Sequence, residues 1–237
     1  ASESKVCLVR VAAHFNEIAA CGPIIKALKA LGYDVGVNLM QVGGKAATLI
    51  VERVSALLTQ AEPDVLYFAD SLGNMDAIEV ERIYSAFRTC WQGPMGIHTH
   101  NNRGLAIANS LRARELGVTW LDGTVQSMGR GAGNAEMELL LTELAAEEPN
   151  YRAEALYPLA MEDFDELKRQ HRWGPSLLYY FAAKHNIHPS YVQELLAENR
   201  YSTQEIIALF QHLAELESSH FDKDLFSSAM RQHYAHA

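Results

Sequence analysis

Two histidines stand two residues apart in Gly96-Ile97-His98-Thr99-His100-Asn101-Asn102. Alternate side chains of an extended segment share a face, so this spacing aims both imidazoles the same way. Two imidazoles on one face suit a divalent metal. The competing structural reading packs one ring in the core and bonds the other to a neighbouring strand. A second candidate is the turn Ser127-Met128-Gly129-Arg130-Gly131-Ala132-Gly133-Asn134, which opens the helical run AEMELLLTELA. A glycine-rich turn before a helix can cradle an anion with backbone amides, although no Gly-Lys-Ser/Thr follows and the dinucleotide-binding spacing is absent. The same glycines serve equally in a tight turn that needs positive φ. Asn134, at the mouth of this turn, either offers an amide oxygen to a metal or caps the helix. Polar groups also end three other apolar runs: Arg10, Asn38, and the pair Asp70 and Ser71. Asp70 and Ser71 could hold a substrate carboxylate or hydroxyl with Arg10 as counter-charge. Equally, Asp70 could be an N-cap and Arg10 half of a buried structural ion pair.

These groups need elements to position them. Five short apolar runs read as strands: 5–13, 34–42, 64–71, 94–101 and 119–127. Helical periodicity fills the intervals at Phe15–Leu31, Ala46–Ala61, Ala77–Trp91 and Leu105–Leu116, two of them closing on Gly32 and Gly117. Apolar strands joined by helical crossovers predict a parallel sheet covered by helices, either an open doubly wound sheet or part of a (β/α)8 barrel. In such folds the working residues lie at the C-terminal ends of the strands, where the candidates above fall. Fourteen of the 15 glycines precede position 134, and after Pro149 the reading is helical, at Ala153–His171, Pro175–Lys184, Pro189–Leu196 and Ser202–Leu216. Ser202 and Glu205 have capping-box spacing. The predicted organisation is a βα domain over 1–147 and a helical domain over 148–237.

Composition narrows the partners. The 237 residues are 49% hydrophobic and 21% charged, with a net charge of −9. Basic and acidic residues are interspersed, which points away from nucleic acid and anionic membrane, since both attract clustered Lys and Arg. Three cysteines, without metal-type spacing, predict neither a disulfide framework nor a zinc finger and fit a reducing cytoplasm. No run of eighteen apolar residues and no signal-peptide pattern is visible.

The segments YFADSLGNMD, GIHTHNNRGLAIANSLRARELGVTWLDGTV and SMGRGAGNAEMELL together resemble the metal-dependent aldolase and Claisen-lyase barrel family that includes HMG-CoA lyase and isopropylmalate synthase. The short Gly-Arg-Gly-Ala-Gly-Asn turn without a cysteine, and the Asn pair after His-Thr-His, are most similar to its 4-hydroxy-2-oxovalerate aldolase branch. The resemblance covers residues 5–147. It implies a (β/α)8 barrel whose fourth to eighth strands are these five, with three βα units ahead of Ala1. It also implies a divalent ion, Mn, Mg, Co or Zn, held by His98, His100 and Asn134, with Arg10, Asp70 and Ser71 orienting substrate. The implied reaction cleaves a 4-hydroxy-2-oxo acid to pyruvate and an aldehyde. The implied partners are a small 2-oxo acid substrate, a second copy of the chain in a homo-oligomer, and an aldehyde dehydrogenase. The sequence departs from the family in lacking Asp-x-Thr-Leu-Arg-Asp-Gly, the first-strand motif that supplies a metal-binding aspartate and an arginine. The family's C-terminal catalytic tyrosine has no clear match either; Trp173 falls near its place, with Tyr179 and Tyr180 further along. The alternatives are an acyl-CoA Claisen lyase or synthase, half of a split enzyme, or an interaction module without catalysis.

Overall fold

A computed structural model describes residues 5–198 and 201–234. They form two compact units. The first holds the described residues to Ser71, Met75–Thr99 and Ile107–Gly123; the second holds Leu72–Asn74, His100–Ala106 and the described residues from Thr124.

In the first unit, β1 (Leu8–His14), β2 (Asp34–Met40), β3 (Val65–Asp70), β4 (Met95–Thr99) and β5 (Trp120–Leu121) pair in that order. Every pairing is parallel. The crossovers run through α1 (Gly22–Ala30), α2 (Ala47–Leu58), α3 (Ala77–Arg88) and α4 (Ala106–Glu115). One sheet face carries Val35, Val37, Leu39, Leu66, Phe68, Met95 and Ile97. These pack with Ile25, Ile50, Val54, Leu57, Ile83 and Phe87 of the helices in one core. Burial of this face drives the fold, at about 25 cal/mol per Å² of apolar surface removed from water.

Residues in register on parallel strands face the same side, and the register sets Arg10 beside Gly36, Asn38 beside Tyr67, Tyr67 beside Gly96, and Ala69 beside His98. The second face therefore carries Arg10, Asn38, Tyr67 and His98 across four strands. Gly96 is glycine because the Tyr67 ring lies over it: a Cβ there would stand 2.3 Å from Tyr67 Cδ1. The Arg10 guanidinium in turn sits 4.7 Å from the Tyr67 ring centroid, within cation–π range.

The second unit is helical, with α5 (Met137–Glu147), α6 (Asp165–His171), α7 (Leu177–Lys184), α8 (Pro189–Glu198), α9 (Thr203–Ala214) and α10 (Lys223–Tyr234). Tyr179, Ile187, Tyr191, Leu195, Phe210, Leu213 and Phe226 form its core. Ser202 and Glu205 make the predicted capping box, with Ser202 N donating to Glu205 Oε2 at 2.7 Å. The expected helix over 153–171 is broken into a 3₁₀ turn (Ala153–Leu156), a π turn (Leu159–Phe164) and α6. Pro158 lies at the break, and it has no amide hydrogen to continue a helical ladder. The expected fifth strand shortens to two residues because the chain enters a 3₁₀ turn at Val125–Ser127. Among the described residues no helix is long and apolar enough to cross a membrane.

Candidate functional site

The first unit gathers Arg10 and His98 around a third residue. His98 Nδ1 lies 2.8 Å from Asp122 Oδ2, and Arg10 Nη1 donates to the same oxygen at 2.5 Å. Asp122 follows β5, and its amide extends the ladder by donating to Ile97 O at 3.1 Å. Burial pushes the Asp122 carboxyl up, but the His98 hydrogen bond and the Arg10 charge outweigh it and hold the group below the ordinary carboxylate range. For Arg10, burial works against the charged form, yet the Asp122 charge leaves the guanidinium pKa raised. Burial and the Asp122 charge together raise the Tyr67 phenol, against the pull of Arg10.

An ionised carboxylate only accepts hydrogen bonds, so the His98 proton resides on Nδ1. A neutral imidazole in that tautomer presents the Nε2 lone pair. Histidines that ligate metals are usually fixed in this manner, by a carboxylate on the other ring nitrogen. Sequence reasoning passed over Asp122. Its only signal was parity, two residues beyond Trp120, which pairs with Gly96.

Asp70 and Ser71 sit differently. Asp70 pairs with Thr99, on the face opposite His98; it is buried, and its Oδ1 accepts from Met75 N at 3.2 Å. Ser71 Oγ accepts from the amide of Gln41, a residue with φ of 55°, at 2.9 Å. Both side chains thus tie loop backbone at the C-terminal edge of the sheet. Asn38 shares the face of Arg10, and its buried Oδ1 has no hydrogen-bond partner.

The second unit brings His100 and Asn134 together. They form an isolated antiparallel bridge, and Asn101 N donates to Gly133 O at 2.8 Å. Asn134 Nδ2 donates to Thr124 Oγ1 at 3.4 Å and Met128 O at 3.3 Å. The amide nitrogen is thereby committed, which makes Oδ1 the atom a cation would meet. Gly133, at φ 79°, allows the turn to close: a Cβ there would lie 1.9 Å from Ser127 O.

Among the described residues no group of three or more His, Cys, Asp or Glu side chains is arranged to hold a metal. The first unit offers an imidazole backed by a carboxylate, and the second an imidazole bridged to a residue with an amide oxygen. That donor chemistry fits a divalent ion.

The model of the HMGL-like family matches residues 11–165. The 4-hydroxy-2-oxovalerate aldolase of Carboxydothermus hydrogenoformans is 38% identical over 138 residues, which is 58% of this chain and 41% of that protein. The chain thus spans about two fifths of the length of the curated relatives it matches. Among solved structures, the N-terminal domain of a candidate aldolase from Bacteroides vulgatus superposes with a TM-score of 0.72 at 31% identity, over 84% of this chain and 66% of that one. Pyruvate carboxylase of Rhizobium etli shares the fold, with a TM-score of 0.73 at 14% identity over 95% of this chain and 25% of that one. The fold class is the α/β class of the (β/α)8-barrel aldolases and carboxyl transferases, represented here by five parallel strands followed by helices.

Proposed function

The chain belongs to the HMGL-like family, and from that premise we propose that it serves the divalent-metal-dependent cleavage of a 4-hydroxy-2-oxo acid to pyruvate and an aldehyde. The single observation that carries this reading is the His98–Asp122 pair, which fixes the imidazole as a metal-ligating histidine is fixed. The names of the relatives, 4-hydroxy-2-oxovalerate aldolases, supply the substrate class.

In this reading His98, His100 and Asn134 hold Mn, Mg, Co or Zn. When bound, the ion polarises the 2-oxo carbonyl and stabilises the negative charge that develops on its oxygen. Asp122 keeps the His98 proton on Nδ1. Arg10 spends one N–H on Asp122 and retains others for the substrate carboxylate, on the sheet face it shares with His98. Asp70 and Ser71 act at one remove, by fixing the loops that follow β3 and β2. In the reaction the C4 hydroxyl loses its proton, the C3–C4 bond breaks, and its electron pair becomes an enolate that takes up a proton at C3 to give pyruvate. The aldehyde released calls for an aldehyde dehydrogenase as the onward partner of a homo-oligomer. The free thiols of Cys7, Cys21 and Cys90 suit a reducing cytoplasm.

The test is pyruvate release from 4-hydroxy-2-oxovalerate by the purified protein with Mn²⁺, followed by a coupled lactate dehydrogenase assay. Release that stops with chelator and in His98→Ala supports the reading. Release of free CoA from acetyl-CoA and a 2-oxo acid, with no aldol cleavage, would replace it with a Claisen synthase.

A further inference from the structure

Gln126 and Ser127 are consecutive non-glycine residues in the left-handed region, with φ of 53° and 62°. Side chains other than glycine hold that conformation only where their surroundings impose it. The surroundings of Gln126 do so at every polar atom it has. Its backbone N donates to both carboxylate oxygens of Glu138, each at 3.0 Å. Its backbone O accepts from the Trp173 indole Nε1 at 2.9 Å. The side-chain Nε2 donates to Asp165 Oδ1 at 2.6 Å and to Ala160 O at 3.3 Å, and Oε1 accepts from Lys168 Nζ at 3.3 Å.

Beyond Gln126 the chain leads directly to the candidate site. Ser127 is fully buried; its Oγ donates to Asn134 O at 2.6 Å, and its carbonyl accepts from Asn134 N at 3.3 Å. Asn134 in turn bridges His100. All of these residues belong to the second unit.

We infer that Gln126 is a positioning residue: the segment Ala160–Trp173 grips it and so locks the left-handed turn that sets Asn134 against His100. The inference about the turn stands on geometry alone, and its consequence for metal binding rests on the reading given above. Asp165, Lys168 and Trp173 each bond Gln126, so the role assigned to them here is exerted through the turn.

The test compares Gln126→Ala with Gln126→Gly. Both delete the bonds to Asp165, Lys168 and Ala160, but only alanine keeps the steric cost of positive φ. Amide hydrogen exchange over 127–134 is expected to rise about tenfold in the alanine variant and to return to within about twofold of wild type in the glycine variant, with α9 unchanged in both. Mn²⁺ titration should show affinity reduced about tenfold in Gln126→Ala and regained in Gln126→Gly. Trp173→Phe, which removes the indole donor without touching the turn's own residues, should loosen 127–134 in the same way. Alanine and glycine variants that behave alike, or faster exchange spreading through α9, would overturn the inference in favour of a merely stabilising residue. If the exchange pattern holds but the wild type binds no Mn²⁺, the turn lock stands and the metal reading fails. If Mn²⁺ binds equally to all variants and exchange is unmoved, the lock fails while the metal reading stands.

Discussion

His98 and Asp122 meet across neighbouring strands, Nδ1 to Oδ2 at 2.8 Å, and the same oxygen takes the Arg10 guanidinium. One carboxylate thus sets the tautomer of a histidine on β4 and the direction of an arginine on β1. Replacing it as Asp122→Asn should weaken Mn²⁺ binding by about 10–100-fold, the range seen when such supporting partners are removed. Titration calorimetry checks this; an unchanged affinity would mean the aspartate serves Arg10 alone.

The acid limb of stability should report the same carboxylate. Burial raises the Asp122 group, but His98 and Arg10 outweigh it, so its folded pKa lies below its unfolded value of about 3.9. Its contribution is therefore present above that unfolded value and is lost as pH falls through the folded one. Glu79, lowered chiefly by its Arg82 hydrogen bond, acts in the same direction. We expect the melting temperature to drop below about pH 4, and Asp122→Asn to make that drop shallower. A limb of identical slope in the variant would contradict the assignment.

The apolar face of the sheet should dominate stability. Phe68 is fully buried and packs on Phe87 with ring centroids 5.7 Å apart. Phe68→Ala should cost about 3–5 kcal/mol, whereas Ile78→Ala, at a side chain that is 80% exposed, should stay within about 0.5 kcal/mol. Denaturant midpoints of the two variants measure the contrast.

In the helical unit, Ser202→Ala removes the side-chain half of the capping box and should cost about 1 kcal/mol. Faster amide exchange confined to the first turn of α9 would locate the loss. A uniform change across the unit would argue for a wider role of Ser202.

The parallel sheet was legible because short apolar runs are joined by segments of helical period, and His98 drew notice because it stands two residues from His100 at the end of one such run. Asp122 was not. In Trp-Leu-Asp-Gly-Thr the Asp-Gly pair carries the local signal of a turn, and nothing local reveals that Arg10, 112 positions away, completes it. Asp70 shows what strand-end position leaves unsaid: it marks the residue as a candidate, while its parity with Phe68 turns it to the face opposite His98. The helix α10 escaped notice because Lys-Asp-Leu-Phe-Ser-Ser-Ala-Met spreads its few apolar residues among serines and charges. Its apolar Phe226 and Ala229 become visible only once the core of the helical unit is assembled around them. Likewise the left-handed Gln126 and Ser127 carry no sequence mark, since glycine is the residue that announces positive φ.

The Tyr67 ring lying over Gly96 has a consequence for descent. Neither position can drift alone: a side chain gained at 96 collides with the ring, and a smaller residue at 67 leaves Arg10 without the surface on which it rests. The two positions are expected to change together. A lineage that enlarges the first must already have shrunk the second, and relatives that keep tyrosine at 67 are expected to keep glycine at 96.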